Sequence, residues 1–338
     1  MARIIHPGLI QTNMKTAFKA LLFIVAPLAI VSCGPSDKPL SPDKPNKPVV
    51  IAPEFNADSA YAYIDKQVSF GPRVPGTKAH ADCAQYLISK LKSVTDTVIL
   101  QRGTVTAPGN RSLPIYNIIG RINPQSADRI LLFAHWDSRH IADQDDERKT
   151  DPILGANDGA SGVGVLLEIA RIAKAKNPGI GIDIFFTDAE DQGLPDVNDS
   201  YCLGTQYWIT NPPIPFYKPR FAILLDMVGG KDARFWKEEG SVVNASFAVD
   251  KVWAKAAELG YGNIFVNSTR TAIIDDHYYV NGMTDIPAID IIQYNEGTDG
   301  KFPAYWHTHD DNMGAVDKAT LKAVGQTLLG VIYNENVQ

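Results

Sequence analysis

Ile130-Leu131-Leu132-Phe133-Ala134-His135-Trp136-Asp137 reads as a buried strand that runs out into polar chemistry: five apolar residues in succession, then an imidazole and a carboxylate. Further on, Gly155-Ala156-Asn157-Asp158-Gly159-Ala160-Ser161 opens Gly162–Ala175, where Val163, Leu166, Leu167 and Ile169 share one face at helical spacing. Similar β-rich runs recur at Tyr116–Ile122, Ile182–Phe186, Phe221–Leu225 and Ile286–Ile292, and helical patterns at Phe247–Leu259 and Leu321–Tyr333. Strands that alternate with helices in this way imply an α/β fold, a single domain whose mixed, mostly parallel central sheet is flanked by helices on both faces.

In such sheets ligands bind beyond the carboxyl ends of the strands, so the polar residues that follow each run matter most. Ile130–Ala134 leads to His135-Trp136-Asp137, Ile182–Phe186 to Asp188-Ala189-Glu190-Asp191, and Phe221–Leu225 to Asp226. Late in the chain come Asp275-Asp276-His277 and Trp306-His307-Thr308-His309-Asp310-Asp311. Taken singly, each has a plain reading: Asp158 as the N-cap of the helix after it, a histidine as a hydrogen-bonded structural residue, Glu190-Asp191 as a solvated turn. Together, carboxylates that converge on one sheet edge repel one another unless a cation or shared protons compensate, and imidazoles among them favour zinc. Adjacent acids at Glu190 and Asp191 point in different directions, so one can hold a metal while the other moves a proton.

The composition excludes other classes. The 338 residues are 45% apolar and 21% charged, enough to bury a sizeable core. With 38 acids, 32 bases and no basic block, nucleic acid is not an expected partner. Three cysteines exclude both a stapled fold and a thiolate zinc cluster. Residues 1–33 carry three of the bases and none of the acids, leaving 29 bases against 38 acids, a net −9, in the remainder. In that leader, Lys15 and Lys19 precede the apolar run Leu21–Val31, too short to span a bilayer, and Ile30-Val31-Ser32-Cys33-Gly34 resembles a bacterial lipobox. Residues 1–33 are therefore expected to be a lipoprotein signal peptide lipidated at Cys33, residues 34–55 a Pro-rich linker, and 56–338 the catalytic domain. The protein is expected to be an exported, membrane-anchored monomer facing the periplasm or cell surface, touching membrane only through the lipid. In an oxidising compartment the two remaining thiols, Cys83 and Cys202, favour a disulfide, with two separate buried thiols as the alternative. Acidic Asp143–Glu147 reads as a solvated loop, and the tryptophans at 136, 208, 236 and 253 as packing.

The ordered motifs His135-x-Asp137, Gly155-Ala-Asn-Asp158-Gly-Ala-Ser, Asp188-Ala-Glu190-Asp191, Leu225-Asp226 and Trp306-His307-Thr308 resemble the zinc aminopeptidases and the type II glutaminyl cyclases that share their fold. The resemblance covers roughly residues 56–335. It implies that Asp158, Asp191 and His307 hold one zinc, with Glu190 as general acid/base and Asp226 beside the substrate amine. In two-metal aminopeptidases the counterparts of His135 and Asp226 hold a second zinc, so these residues alone do not separate the activities. Asp275 favours a cyclase, since aminopeptidases usually carry Ser there, and it would share a proton with Asp226. Phe302-Pro-Ala-Tyr-Trp306-His307 resembles the cyclase stretch whose Phe and Trp wall the pocket, and Gly71-Pro72-Arg73-Val74-Pro75-Gly76-Thr77 the cyclase N-terminal turn. Departures from animal cyclases are Asp191 for Glu, Asp290 for His, Ala134 in place of a disulfide cysteine, and Gln192–Asp199 where another aromatic wall would stand; they suit a bacterial branch.

The resemblance thus implies conversion of N-terminal Gln in peptides and proteins to pyroglutamate with release of ammonia. The alternatives are a di-zinc aminopeptidase, in which Glu190 would activate water, and a surface binding protein on a dead peptidase scaffold. The last is disfavoured because no proposed ligand is missing. His140, His277 and His309 are candidates to support the site from behind.

Overall fold

The computed structural model of the chain describes residues 51–294 and 302–335. In chain order the described elements are α1 (Ala57–Val68), α2 (Lys78–Val94), β1 (Thr97–Ala107), β2 (Arg111–Ile122), β3 (Arg129–His135), α3 (Ala160–Ala175), β4 (Gly181–Thr187), α4 (Leu203–Thr210), β5 (Ala222–Asp226), β6 (Arg234–Glu238), α5 (Glu239–Glu258), β7 (Phe265–Arg270), α6 (Asp276–Met283), β8 (Ala288–Tyr294) and α7 (Lys318–Asn334). The strands form one sheet in the order β1-β2-β4-β3-β5-β8-β6-β7. Its centre, β4-β3-β5-β8, is parallel throughout, and every residue of those four strands is buried, as uninterrupted apolar runs require. Antiparallel β1 and β2 extend one side, and β6, antiparallel to β8, carries parallel β7 on the other.

Alternation along the strands sorts the core into two layers. Ile130, Leu132 and Ala134 of β3 face a large cluster built with α1, α2, α3, α5 and α7, to which Ile64, Leu87, Val163, Val252 and Leu328 contribute. Leu131 and Phe133 face the opposite layer, where Trp208 of α4 and Val280 of α6 pack. All five anticipated strands are present, and the four tryptophans read as packing are buried.

Residues 1–33, including Cys33, and most of the expected linker lie outside the described residues. The last linker position, Phe55, belongs to the fold: its ring is 1% exposed and its N–H donates to Gln326 Oε1 at 2.9 Å. The expected disulfide is corrected. Cys83 and Cys202 are both free and buried, because α2 packs on one face of the sheet while Cys202 leads into α4 on the other.

From β3 the chain crosses through α3 to β4 on one side, then reaches β5 on the other side of β3. The crevice between the carboxyl ends of β3 and β5 is the topological switch point, where an open α/β sheet offers a binding site.

Candidate active site

His135 ends β3 and Asp226 ends β5, so the switch point carries an imidazole and a carboxylate by construction. Between them lies Asp158, just before α3. The cap of α3 is Gly159, with no side-chain cap bond, so the Asp158 carboxylate is not spent on the helix. Gly159 is required there: a Cβ would come within 2.4 Å of the His135 ring. Asp311 Oδ1 and Oδ2 accept the N–H groups of Asn157 and Asp158 at 2.7 and 3.1 Å, which holds the loop from the far end of the chain.

Asp158 is shared between two histidines. Its Oδ1 lies 3.0 Å from His135 Nε2, which is also 3.3 Å from Asp226 Oδ1. Its Oδ2 lies 3.7 Å from His307 Nε2, which is 3.4 Å from Asp191 Oδ1. Two sets of donors thus stand side by side, Asp158-Asp191-His307 and His135-Asp158-Asp226, all buried. Asp191 Oδ2 and Asp226 Oδ1 are buried with no hydrogen-bond partner, and such orphaned oxygens, with an imidazole beside them, fit a divalent ion such as zinc.

The chain holds these donors from behind. Asp137 Oδ1 and Oδ2 accept the N–H groups of Glu190 and Asp191, and Gln192 Nε2 donates to Oδ2 as well. Arg139 donates to Asp191 Oδ1 at 2.7 Å and to both oxygens of Asp143, and Asp143 Oδ1 lies 3.1 Å from His307 Nδ1. Asp143–Glu147 is solvated in part, as expected, with Gln144, Asp146 and Glu147 exposed, but Asp143 lies against His307, and Asp145 accepts from the N–H of His309 and lies 2.6 Å from its Nδ1. Fully buried Arg73 donates to the carbonyls of Trp136, Leu154 and Gly155. Ala189, Met227 and His307 adopt left-handed backbone, which costs of order 1 kcal/mol or more each and persists only because this scaffold dictates it.

The electrostatics separate the two adjacent acids. Burial pushes Asp191 toward protonation, but the charges of His307 and Arg139 outweigh it and bring its pKa down to about 2. Burial raises the pKa of Glu190 well above the carboxylate range, His135 opposing and Asp191, Asp275 and Asp276 reinforcing. Glu190 Oε2 lies 4.0 Å from His135 Nδ1, while its Oε1 accepts the Cys202 S–H at 3.3 Å, a partner that sequence reading missed. Burial lifts Asp226 to about 6, with Asp158 reinforcing and the nearby His135 opposing. Asp275 is raised well above its ordinary value by burial and by Asp226 and Asp276. Asp226 acts on Asp275 by charge, and Asp275, His277 and Asp290 each offer a ligand atom within 4.8 Å of the others, with neither oxygen of Asp290 meeting an N–H or O–H donor.

Of the supporting histidines, His277 Nε2 lies 3.0 Å from Glu238 Oε2 and its Nδ1 3.7 Å from Asp290, so it backs the Asp275 corner. At His140 burial and the charges of Arg111 and Arg139 bring the pKa down to about 4, against the charges of Asp191 and Asp143. A cavity of about 570 Å³ opens above the acids, walled by Phe302 and Trp306, whose rings meet at 4.7 Å. Trp306 also stacks on the His307 ring at 3.6 Å. Where the expected second wall lacks a tryptophan, Tyr201, Tyr278 and Tyr279 line the cavity.

A buried set of Asp, Glu and His at the switch point of a mixed sheet defines a metal-dependent enzyme of the zinc exopeptidase fold, and the chain belongs to peptidase family M28, whose sequence profile matches residues 117–332. Within that family it is similar to bacterial glutaminyl cyclases. It is 53% identical to the glutaminyl cyclase of Tannerella forsythia, covering 84% of this chain and 100% of that one, with a TM-score of 0.82. A Zn-dependent exopeptidase from Parabacteroides distasonis is 52% identical with the same coverage and a TM-score of 0.83. Among curated proteins, the glutaminyl-peptide cyclotransferase of Drosophila melanogaster is 22% identical over 273 residues, 74% of this chain and 73% of that relative.

Proposed function

We propose that this protein is a zinc-dependent glutaminyl-peptide cyclotransferase that converts N-terminal glutamine to pyroglutamate and releases ammonia. The observation that carries the reading is geometric: the buried donor set Asp158-Asp191-His307 lies at a cavity walled by Phe302 and Trp306, with Glu190 beside it on the same cavity wall. Asp158, Asp191 and His307 would hold the metal, which when bound supplies a Lewis acid for the γ-carboxamide carbonyl. Glu190 takes a proton from the attacking α-amine and delivers it to the departing amide nitrogen. The new lactam C–N bond forms as the C–NH₂ bond breaks and ammonia leaves. Asp226, with Asp275 beside it, orients the amine. Phe302 and Trp306 hold the side chain folded back on its own amine, so that nucleophile and electrophile meet in one residue.

Glu190→Gln is expected to keep its zinc and lose about 10² to 10⁴ in kcat, read by ammonia release from a Gln-initiated peptide. Retained turnover overturns the assignment. A second reading, a di-zinc aminopeptidase, is favoured by one observation, the close set His135-Asp158-Asp226. Zinc analysis beside Gln-anilide and Leu-anilide assays separates the two: one zinc per chain and no free leucine support the cyclase.

The same reading includes export and lipid anchoring at Cys33, supported by the basic residues, short apolar run and lipobox-like stretch of residues 15–34. Among the described residues no helix is long and apolar enough to cross a membrane. Cys33→Ala is expected to release the protein from the membrane fraction.

A further inference from the structure

The two buried thiols have different surroundings. Cys83 sits in the main apolar core with Ala84 and Leu87, where a cysteine acts as a small hydrophobe. Cys202 is as fully buried, yet it belongs to none of the apolar clusters among the described residues. Its sulfur lies among acids instead: Glu190, Cys202 and Asp275 each offer an atom within 4.8 Å of the others. The return of the chain into α4 brings it there. The Cys202 N–H donates to the Glu190 carbonyl at 2.8 Å, the Leu203 N–H donates to the Ala189 carbonyl at 3.1 Å, and Cys202 takes left-handed backbone at φ 55°. Cys202 thus grips Glu190 at both ends, main chain to main chain and thiol to carboxyl.

We propose that Cys202 is a positioning residue for Glu190: its S–H holds carboxyl oxygen Oε1, so that Oε2 is the oxygen that exchanges protons with the substrate. The inference rests on the cyclase reading, in which Glu190 carries the proton from the amine to the departing nitrogen. A glutamate side chain has much rotamer freedom to lose, and a proton carrier must be held within hydrogen-bond reach of its substrate. Among the described residues Cys202 is the one hydrogen-bond donor to this carboxyl, since His135 Nδ1, at 4.0 Å from Oε2, is beyond hydrogen-bonding range. Burial, reinforced by Glu190, Asp276 and Asp275, raises the thiol well above its ordinary pKa, so it keeps its proton and stays a donor. A thiol donates weakly, and so fixes an orientation without the strong bond that would favour the ionised carboxyl.

The zinc-loaded full chain is assayed for ammonia release from a Gln-initiated peptide. Cys202→Ala is expected to lower kcat about tenfold, with KM and zinc content unchanged, because the metal donors and the aromatic walls are untouched. Cys202→Ser returns a donor to the same Cβ and is expected to bring kcat back to within about threefold of the parent. Cys202→Gly suits the left-handed backbone and supplies a second variant without the donor, so misfolding of Cys202→Ala does not decide the matter. Cys83→Ala, which removes the thiol on the other face of the sheet, is expected to keep the parent kcat. A parent-like kcat without the donor, a Ser variant as slow as Ala, or an equal loss in Cys83→Ala overturns this inference alone. Failure of the parent to release ammonia overturns the cyclase reading and this role with it.

Discussion

Glu238 shows how a residue outside the reacting cluster shapes it. It ends β6, caps α5 through the N–H of Gly240 at 2.7 Å, accepts the Ile273 N–H at 3.0 Å, and faces His277. Burial pushes it toward protonation, but the hydrogen bond and charge of His277 and the hydrogen bonds of Ser241 prevail and lower its pKa to about 2. A carboxyl whose folded pKa lies below its unfolded value stabilises the fold fully above the unfolded value and loses that contribution as pH falls through the folded one. Glu238→Gln is therefore expected to cost of order 3 kcal/mol at pH 7, with the gap in thermal stability from the parent closing between about pH 4.5 and pH 2. A gap independent of pH would assign Glu238 a purely packing role.

Loops between elements supply most of what orients the site. Arg139, after β3, ties the loop after β4 through Asp191 and, through Asp143, the late segment at His307. Arg139→Ala leaves both the metal-binding carboxylate and the imidazole free to turn, and is expected to weaken zinc binding by about 10- to 100-fold in competition with a chelator. Little of this was legible in advance. His135, Asp191 and Asp226 announce themselves because each follows an apolar run, and Asp158 because it opens a helix, whereas Arg139 and Cys202 stand in stretches with no periodicity, and nothing local ties Asp143 or Asp311 to its partner. Their partners lie far along the chain: Asp311 meets Asn157 across 154 positions.

For the molecule as a whole, the crowded acids couple stability to metal. Stripping zinc from the protein is expected to lower its melting temperature by about 5 °C or more, restored by stoichiometric zinc, since an ion that binds only the folded chain stabilises it by mass action. An unchanged melting temperature would mean that protonated His135 and His307 suffice as counter-charges in the folded protein. Burial opposes protonation of both, yet the carboxylates around them raise His135 well above its ordinary pKa and His307 to about 9.

By itself the chain determined the alternation of strands and helices, the acids and imidazoles at the strand ends, and the family likeness, because hydrophobic periodicity and residue order are local properties of a sequence. Only the tertiary structure decided that Cys83 and Cys202 stay apart on opposite faces of a sheet and that Asp143 stands beside His307. Those outcomes depend on which side chains the packing brings within hydrogen-bond distance, and the cost of burying an unpaired charge then selects the pairings that survive.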